Sequence, residues 1–264
     1  MKQWLKRSAV RYFPRTTARI LSARSRRANQ KFVRKIGSAA LTRRLLDRFG
    51  PIVQSGPFAG MILTPPTHAE HLGPYLLGTY EGELHPIWQR TLNRSFPQII
   101  DIGAKFGYYA IGLARLFPTS SVMAFDTDPW ARAVVAEMAI ANSTPNVSSH
   151  GFCSPDWLEA NLREQSLIVS DCEGYESELF SAVTPALSSA MIIVEVHDFL
   201  ITGTTDGLLA RFVESHRVET ISTRPARPPD GIDLSFLDDG ERMLAVNELR
   251  PAQQWLVFTP RGGT

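Results

Sequence analysis

The chain has 264 residues and a mass of 29.4 kDa, enough for one sizeable domain with an appendage or for two small domains. Hydrophobic residues make up 44% and charged residues 20%, which excludes a chain disordered throughout by composition. The net charge of +2 conceals two kinds of sequence: residues 1–48 hold fifteen of the 28 Lys and Arg but, in Asp47, one of the 26 acids, so the remainder is acidic. No window approaches a transmembrane run, and Cys153 and Cys172 make neither a disulfide framework nor zinc spacing. A reducing cytoplasm is the expected setting.

The basic stretch reads as a helical extension, with Trp4, Leu5, Ile20, Leu21, Phe32, Leu41 and Leu45 at roughly helical spacing among Arg and Lys. Basic residues also interrupt its first apolar stretch every few positions, unlike a secretory signal, and no transit-peptide cleavage signal is evident. Such a segment can pack on the acidic domain behind it, lie on an anionic membrane at its inner face, or grip nucleic-acid phosphates. Charge alone ranks nucleic acid last of the three. The boundary is placed near Gly50-Pro51.

Residues 49–95 are expected to form a hairpin around Ser55-Gly56-Pro57 and then helical segments broken by the Gly78–Gly82 turn, a cap ahead of the core at 96–264. His68 and His71 are read as surface-turn residues. Strands are predicted at 98–102, 121–125, 147–152, 167–170 and 191–196, with helices at 106–117, 129–142, 155–164 and 176–183. Helix 205–216, strand 218–223, helix 240–248 and strand 255–259 follow. Short Val/Ile-rich strands separated by helices of about ten residues give a Rossmann-like, doubly wound α/β fold with a mostly parallel sheet covered on both faces.

In such a sheet the ligand sits at the C-terminal strand ends. The first strand runs into Asp101-Ile102-Gly103-Ala104-Lys105-Phe106-Gly107, whose glycines allow close backbone approach to a ligand. The second ends at Asp126-Thr127, an acid placed to hold both hydroxyls of a ribose. Neither a phosphate-binding loop nor a dinucleotide Gly-x-Gly-x-x-Gly is present. Asp-x-Gly-x-x-x-Gly followed by a strand-end acid resembles the S-adenosylmethionine site of class I methyltransferases, which implies a seven-stranded sheet and binding through Asp101, Gly103, Ala104, Lys105, Gly107, Asp126, Thr127 and Asp171.

Four blocks in order narrow the resemblance: Asp101–Tyr109 (DIGAKFGYY), Ala124–Pro129 (AFDTDP), Asp171–Glu176 (DCEGYE) and Ile193–His197 (IVEVH). Together they look like the FkbM-type methyltransferases over about residues 75–200. The resemblance implies methylation of a hydroxyl on a small-molecule, sugar, glycan or polyketide-like acceptor, with Glu81, His85 and Glu173 on the substrate or lid side. Lys105 stands where that family has Asn or a small residue, and Asp126-Thr127 replaces Glu-Pro. Lys105 could pair with the cofactor carboxylate, the favoured reading, or point to solvent, or repel the sulfonium and weaken the site.

Methyl transfer to a hydroxyl needs in-line alignment and a base. His197 is the leading base candidate and Asp171 the alternative, as base, amine partner or orienter of His197. Both could instead be helix-capping or packing residues. No metal is assigned, since no dedicated oxygen-ligand loop is present. N- or C-methylation, and a weakened adaptor acting through its basic arm, are the alternatives.

Overall fold

The computed structural model describes residues 37–262. Most of the basic extension, residues 1–36, lies outside the described residues, and so do the readings of membrane, nucleic-acid or domain contact made for it.

The last part of the basic segment forms α1 (Ser38–Phe49), which buries Leu41 and Leu45 in the core beside Leu72 and Ala245. Its arginines face outward, Arg48 Nη2 lying 2.9 Å from Asp233 and Arg44 pairing with Glu241. Exposed pairs of that kind contribute at most about 1 kcal/mol each, against roughly 1.5–3 kcal/mol for each fully buried leucine. Apolar burial docks this helix, and charge only orients it.

After an Ile52–Ile62 bridge come α2 (Gly73–Leu77) and α3 (His85–Thr91). The alternating run is β1 (Gln98–Ile102), α4 (Tyr108–Leu116), β2 (Ser121–Phe125), α5 (Pro129–Ala141), β3 (Val147–His150), α6 (Pro155–Asn161) and β4 (Leu167–Ser170). It continues as α7 (Glu176–Leu179), α8 (Pro185–Ser189), β5 (Met191–Val196), α9 (Thr204–Phe212), β6 (His216–Ser222), α10 (Asp239–Val246) and β7 (Gln254–Pro260). Helix starts carry their own signals. Asp128, Ser154 and Thr184 accept hydrogen bonds from Trp130, Trp157 and Leu187 N–H, and Asp238 with Glu241 makes a capping box.

The sheet order is β3-β2-β1-β4-β5-β7-β6, parallel except where β7 runs antiparallel between β5 and β6. This is the seven-stranded order of the class I methyltransferase fold, as expected from the sequence. Strand alternation sorts the core into two layers. Ile99, Leu167, Val169, Ile193, Trp255 and Val257 face the cluster that includes α1 to α5, while Ile100, Ile168, Ile192, Val194, Leu256 and Phe258 face the one under α6 to α9. By the same parity Asp101 and Glu195 fall on the first side, so polar groups reach the ends of a sheet whose interior is apolar.

The order reverses between β1 and β4, the point at which a ligand crevice is expected. Helix α8 is missing from the sequence reading: Pro185 follows Thr184 at a new helix start, where the predicted single helix 176–183 stops after one turn.

Candidate active site

The turn after β1 is fixed by neighbours on both sides. Gly103 and Ala104 N–H donate to the Phe125 carbonyl, and Asp171 N–H donates to the Ile102 carbonyl at 2.9 Å. Gly103 has φ 88, and a Cβ there would stand 1.8 Å from the Asp171 carbonyl oxygen. Glycine is therefore required by the approach of β1 to β4, before any ligand is considered. Gly107, φ 89, heads α4 and faces Val135 behind the cleft.

Asp101 is buried and accepts the Ala110 N–H at 2.9 Å, anchoring α4. Burial raises its carboxyl to about 7, against the opposing effect of that hydrogen bond. Asp126 is oriented by two donors, Lys105 N–H on Oδ2 at 2.9 Å and Asp128 N–H on Oδ1 at 2.8 Å. Burial raises it to about 6 although both bonds favour the anion. Each oxygen keeps a lone pair for a hydroxyl donor. Thr127 follows, half-buried.

Tyr75, Tyr80, Gly103, Lys105, Tyr109 and Asp171 help line a cleft with ≈ 390 Å³ of space, partly open to solvent. Lys105 takes a left-handed backbone conformation, φ 49, which Asn adopts more readily. Its ammonium is turned to the Tyr75 hydroxyl at 3.4 Å and Glu70 at 3.8 Å, at the cleft wall.

At the ends of β4 and β5 an acidic group converges on one imidazole. His197 has no exposed surface, and its Nδ1 lies 2.6 Å from Oε1 of the equally buried Glu176. Around Nε2 stand Glu195 Oε2 at 3.4 Å, Asp171 Oδ1 at 3.5 Å and Glu173 Oε2 at 3.9 Å. Burial opposes a charged ring, but the bond to Glu176 and the nearby Glu195 and Asp171 carboxylates outweigh it and raise His197 to about 11. Asp171 is raised well above the usual carboxylate range by burial and by Glu195 and Glu173. Of these groups, Asp171 is the one that also lines the cleft.

A second ionic centre, unforeseen in the sequence, adjoins the first. Arg250, in the segment before β7, pairs with Glu195, with Glu248 at 2.7 Å, with Glu83 at 3.3 Å and with Glu81 at 3.5 Å. Tyr109 hydroxyl donates to Glu81, whose own N–H donates to Glu248 at 2.9 Å. Burial raises Glu81 to about 8, with Glu195 and Glu248 adding to it and Arg250 opposing. Glu81 lies behind the cleft-lining Tyr109, in this ionic centre. His85 is not part of it: it starts α3 next to Gly56. His71 is not on a surface turn either; it is buried, bonded to Ser38 and to the Asn247 carbonyl at 2.8 Å.

No protein-family model matches the sequence, and no curated protein matches it. Solved structures match it in fold. Precorrin-6y C5,15-methyltransferase from Geobacter metallireducens is similar over 66% of this chain and 87% of its own, at 14% identity and a TM-score of 0.47. An rRNA methylase from Streptococcus thermophilus is similar over 67% and 96%, at 11% identity and 0.45. Ribosomal protein L11 methylase from Lactobacillus delbrueckii subsp. bulgaricus follows over 65% and 73%, at 17% and 0.41. At these identities the likeness concerns the fold alone.

The order of partners expected from the sequence needs correction. An rRNA methylase stands among the structures of this fold beside a precorrin enzyme, so nothing ranks nucleic acid below a small-molecule or glycan acceptor. Among the described residues no helix is long and apolar enough to cross a membrane; the anionic-membrane contact is expected of residues 1–48, most of which lie outside the described residues.

Proposed function

We propose that the chain is an S-adenosylmethionine-dependent methyltransferase acting on a hydroxyl acceptor, with residues 49–95 as a cap and 96–264 as the core. The observation that carries this reading is the placing of Asp126. Its carboxylate is held by two backbone N–H groups at the end of β2, one of them from the turn that follows β1. A ribose diol needs an oriented, half-buried acceptor of this kind beside a glycine turn, and the crevice at the strand reversal supplies room for the rest. The four FkbM-like sequence blocks support the same reading, since all of them fall at or next to strand ends of this crevice.

The residues present fit the cofactor's chemistry. Asp126 would hold the ribose, the Gly103–Lys105 turn the methionine portion, and Asp171 the amine or the acceptor. When bound, S-adenosylmethionine supplies an electrophilic methyl. The protein's own part is alignment and proton removal. Asp171 accepts the hydroxyl proton as the oxygen–methyl bond forms. His197, locked by Glu176, stands beside Asp171 among the surrounding carboxylates. Tyr75, Tyr80 and Tyr109 wall the cleft from water.

The test is calorimetric titration with S-adenosylmethionine and its demethylated product, with NAD as control and Asp126→Ala alongside. Binding of both sulfur compounds, lost by at least tenfold in the variant and absent for NAD, is the expected result. A folded protein that binds neither sinks the reading and favours an adaptor. An acceptor screen then spans hydroxylated small molecules and RNA.

A further inference from the structure

We propose that Asp171, Glu173 and His197 form a binding site for one divalent first-row metal ion. Their Oδ1, Oε2 and Nε2 atoms all lie within 4.8 Å of one another. A tetrahedral ion with ligands at about 2.0–2.1 Å sets those ligands about 3.4 Å apart. The observed 3.5 Å from Nε2 to Asp171 Oδ1 and 3.9 Å to Glu173 Oε2 need only small adjustments, the larger at exposed Glu173.

The independent sign is at His197. Its ring is fully buried, yet Nε2 has no hydrogen-bond partner among the described residues, and neither has the buried Oδ1 of Asp171. Two orphaned polar atoms face each other across a gap too long for a hydrogen bond. Meanwhile Nδ1 is committed to Glu176. A carboxylate on the far nitrogen fixes the ring and raises its basicity, the arrangement found behind metal-binding histidines. One imidazole with two carboxylates suits Mn²⁺ or Zn²⁺ better than a site made of oxygens alone.

Charge argues in the same direction. Asp171, Glu173, Glu176 and Glu195 surround one imidazole, and Glu195 is already shared with Arg250. Three protein ligands leave a coordination position open toward the cleft, where an acceptor oxygen can bind and lose its proton more readily.

The site does not depend on the methyl-donor reading and is tested without the donor. The full chain, stripped with chelator, is titrated with Zn²⁺ by calorimetry and with Mn²⁺ by loss of its free electron-spin resonance signal. One equivalent is expected. Glu173→Gln, an exposed change that leaves the core intact, and Asp171→Asn should each weaken binding on the order of tenfold or more, while Glu178→Gln leaves it unchanged. No saturable binding by the wild-type chain overturns the proposal. So does binding that Glu173→Gln and Asp171→Asn leave untouched. Failure of the S-adenosylmethionine titration alone would sink the proposed activity and leave the metal site standing.

Discussion

Glu176 and His197 meet through Oε1 and Nδ1 at 2.6 Å, and neither side chain has any exposed surface. The same carboxylate oxygen accepts the Gly174 N–H at 3.0 Å, so one atom ties the turn after β4 to the segment after β5. Removing it leaves a buried imidazolium and a backbone donor unanswered. Glu176→Ala is expected to cost about 3–5 kcal/mol, and Glu176→Gln, which retains an acceptor, clearly less. Urea unfolding of both variants checks this. Equal losses would show that the carboxylate charge, not the hydrogen-bond acceptor, carries the contribution.

Arg250 answers four carboxylates, and its loss exposes them to one another. Arg250→Met is expected to destabilise by about 3–5 kcal/mol at pH 8. The deficit should shrink toward pH 6, because Glu81 already titrates near 8 and takes up a proton first. Thermal unfolding of variant and wild type at the two pH values gives the comparison. A deficit independent of pH would mean that the guanidinium acts through packing against Tyr80 rather than through charge.

Three carboxyls titrate higher in the folded chain than in an unfolded one: Asp126 at about 6, Asp101 at about 7 and Glu81 at about 8. The folded state therefore binds more protons between about pH 4 and 8. These groups contribute stability that is present at the lower end and lost as pH rises through 6, 7 and 8. Each subtracts up to about 1.4 kcal/mol per pH unit inside its own window. Melting temperature should fall from pH 6 to pH 8.5, and Asp101→Asn should flatten the fall. A profile that rises over this range would refute the assignment.

Helix α1 offers a contrast between charge and burial. Leu45 is fully buried, whereas Arg48 and Asp233 are both more than half exposed. Leu45→Ala should cost about 2–5 kcal/mol and Arg48→Ala at most about 1 kcal/mol. Chemical denaturation reads both. Comparable losses would show that the arginine pairs, not the apolar face, hold this helix on the core.

Several strands were legible to the residue. β1, β2, β4 and β5 stand where short apolar runs bounded by turn residues place them, because a strand buried on both faces needs a continuous hydrophobic stretch. The strand-end acids Asp101, Asp126 and Asp171 were also readable, since a charge at the close of such a run must lie at the sheet's edge or be paired. Gly103 was marked for the right turn on an incomplete ground: its neighbour is the Asp171 carbonyl, which no local pattern discloses.

Sequence by itself therefore determined the α/β alternation, the strand positions and the acids that end them, because periodicity and turn chemistry act over a few residues. Tertiary structure alone decided the charge states and the partners. Arg250 lies 55 residues from Glu195 and 167 from Glu83, so only the folded sheet brings them together. The surroundings of His197 depend on the same fact. An imidazole among four carboxylates, drawn from the turn after β4, from α7 and from β5, is pushed up by them to about 11, a shift that a lone strand-end histidine would not show.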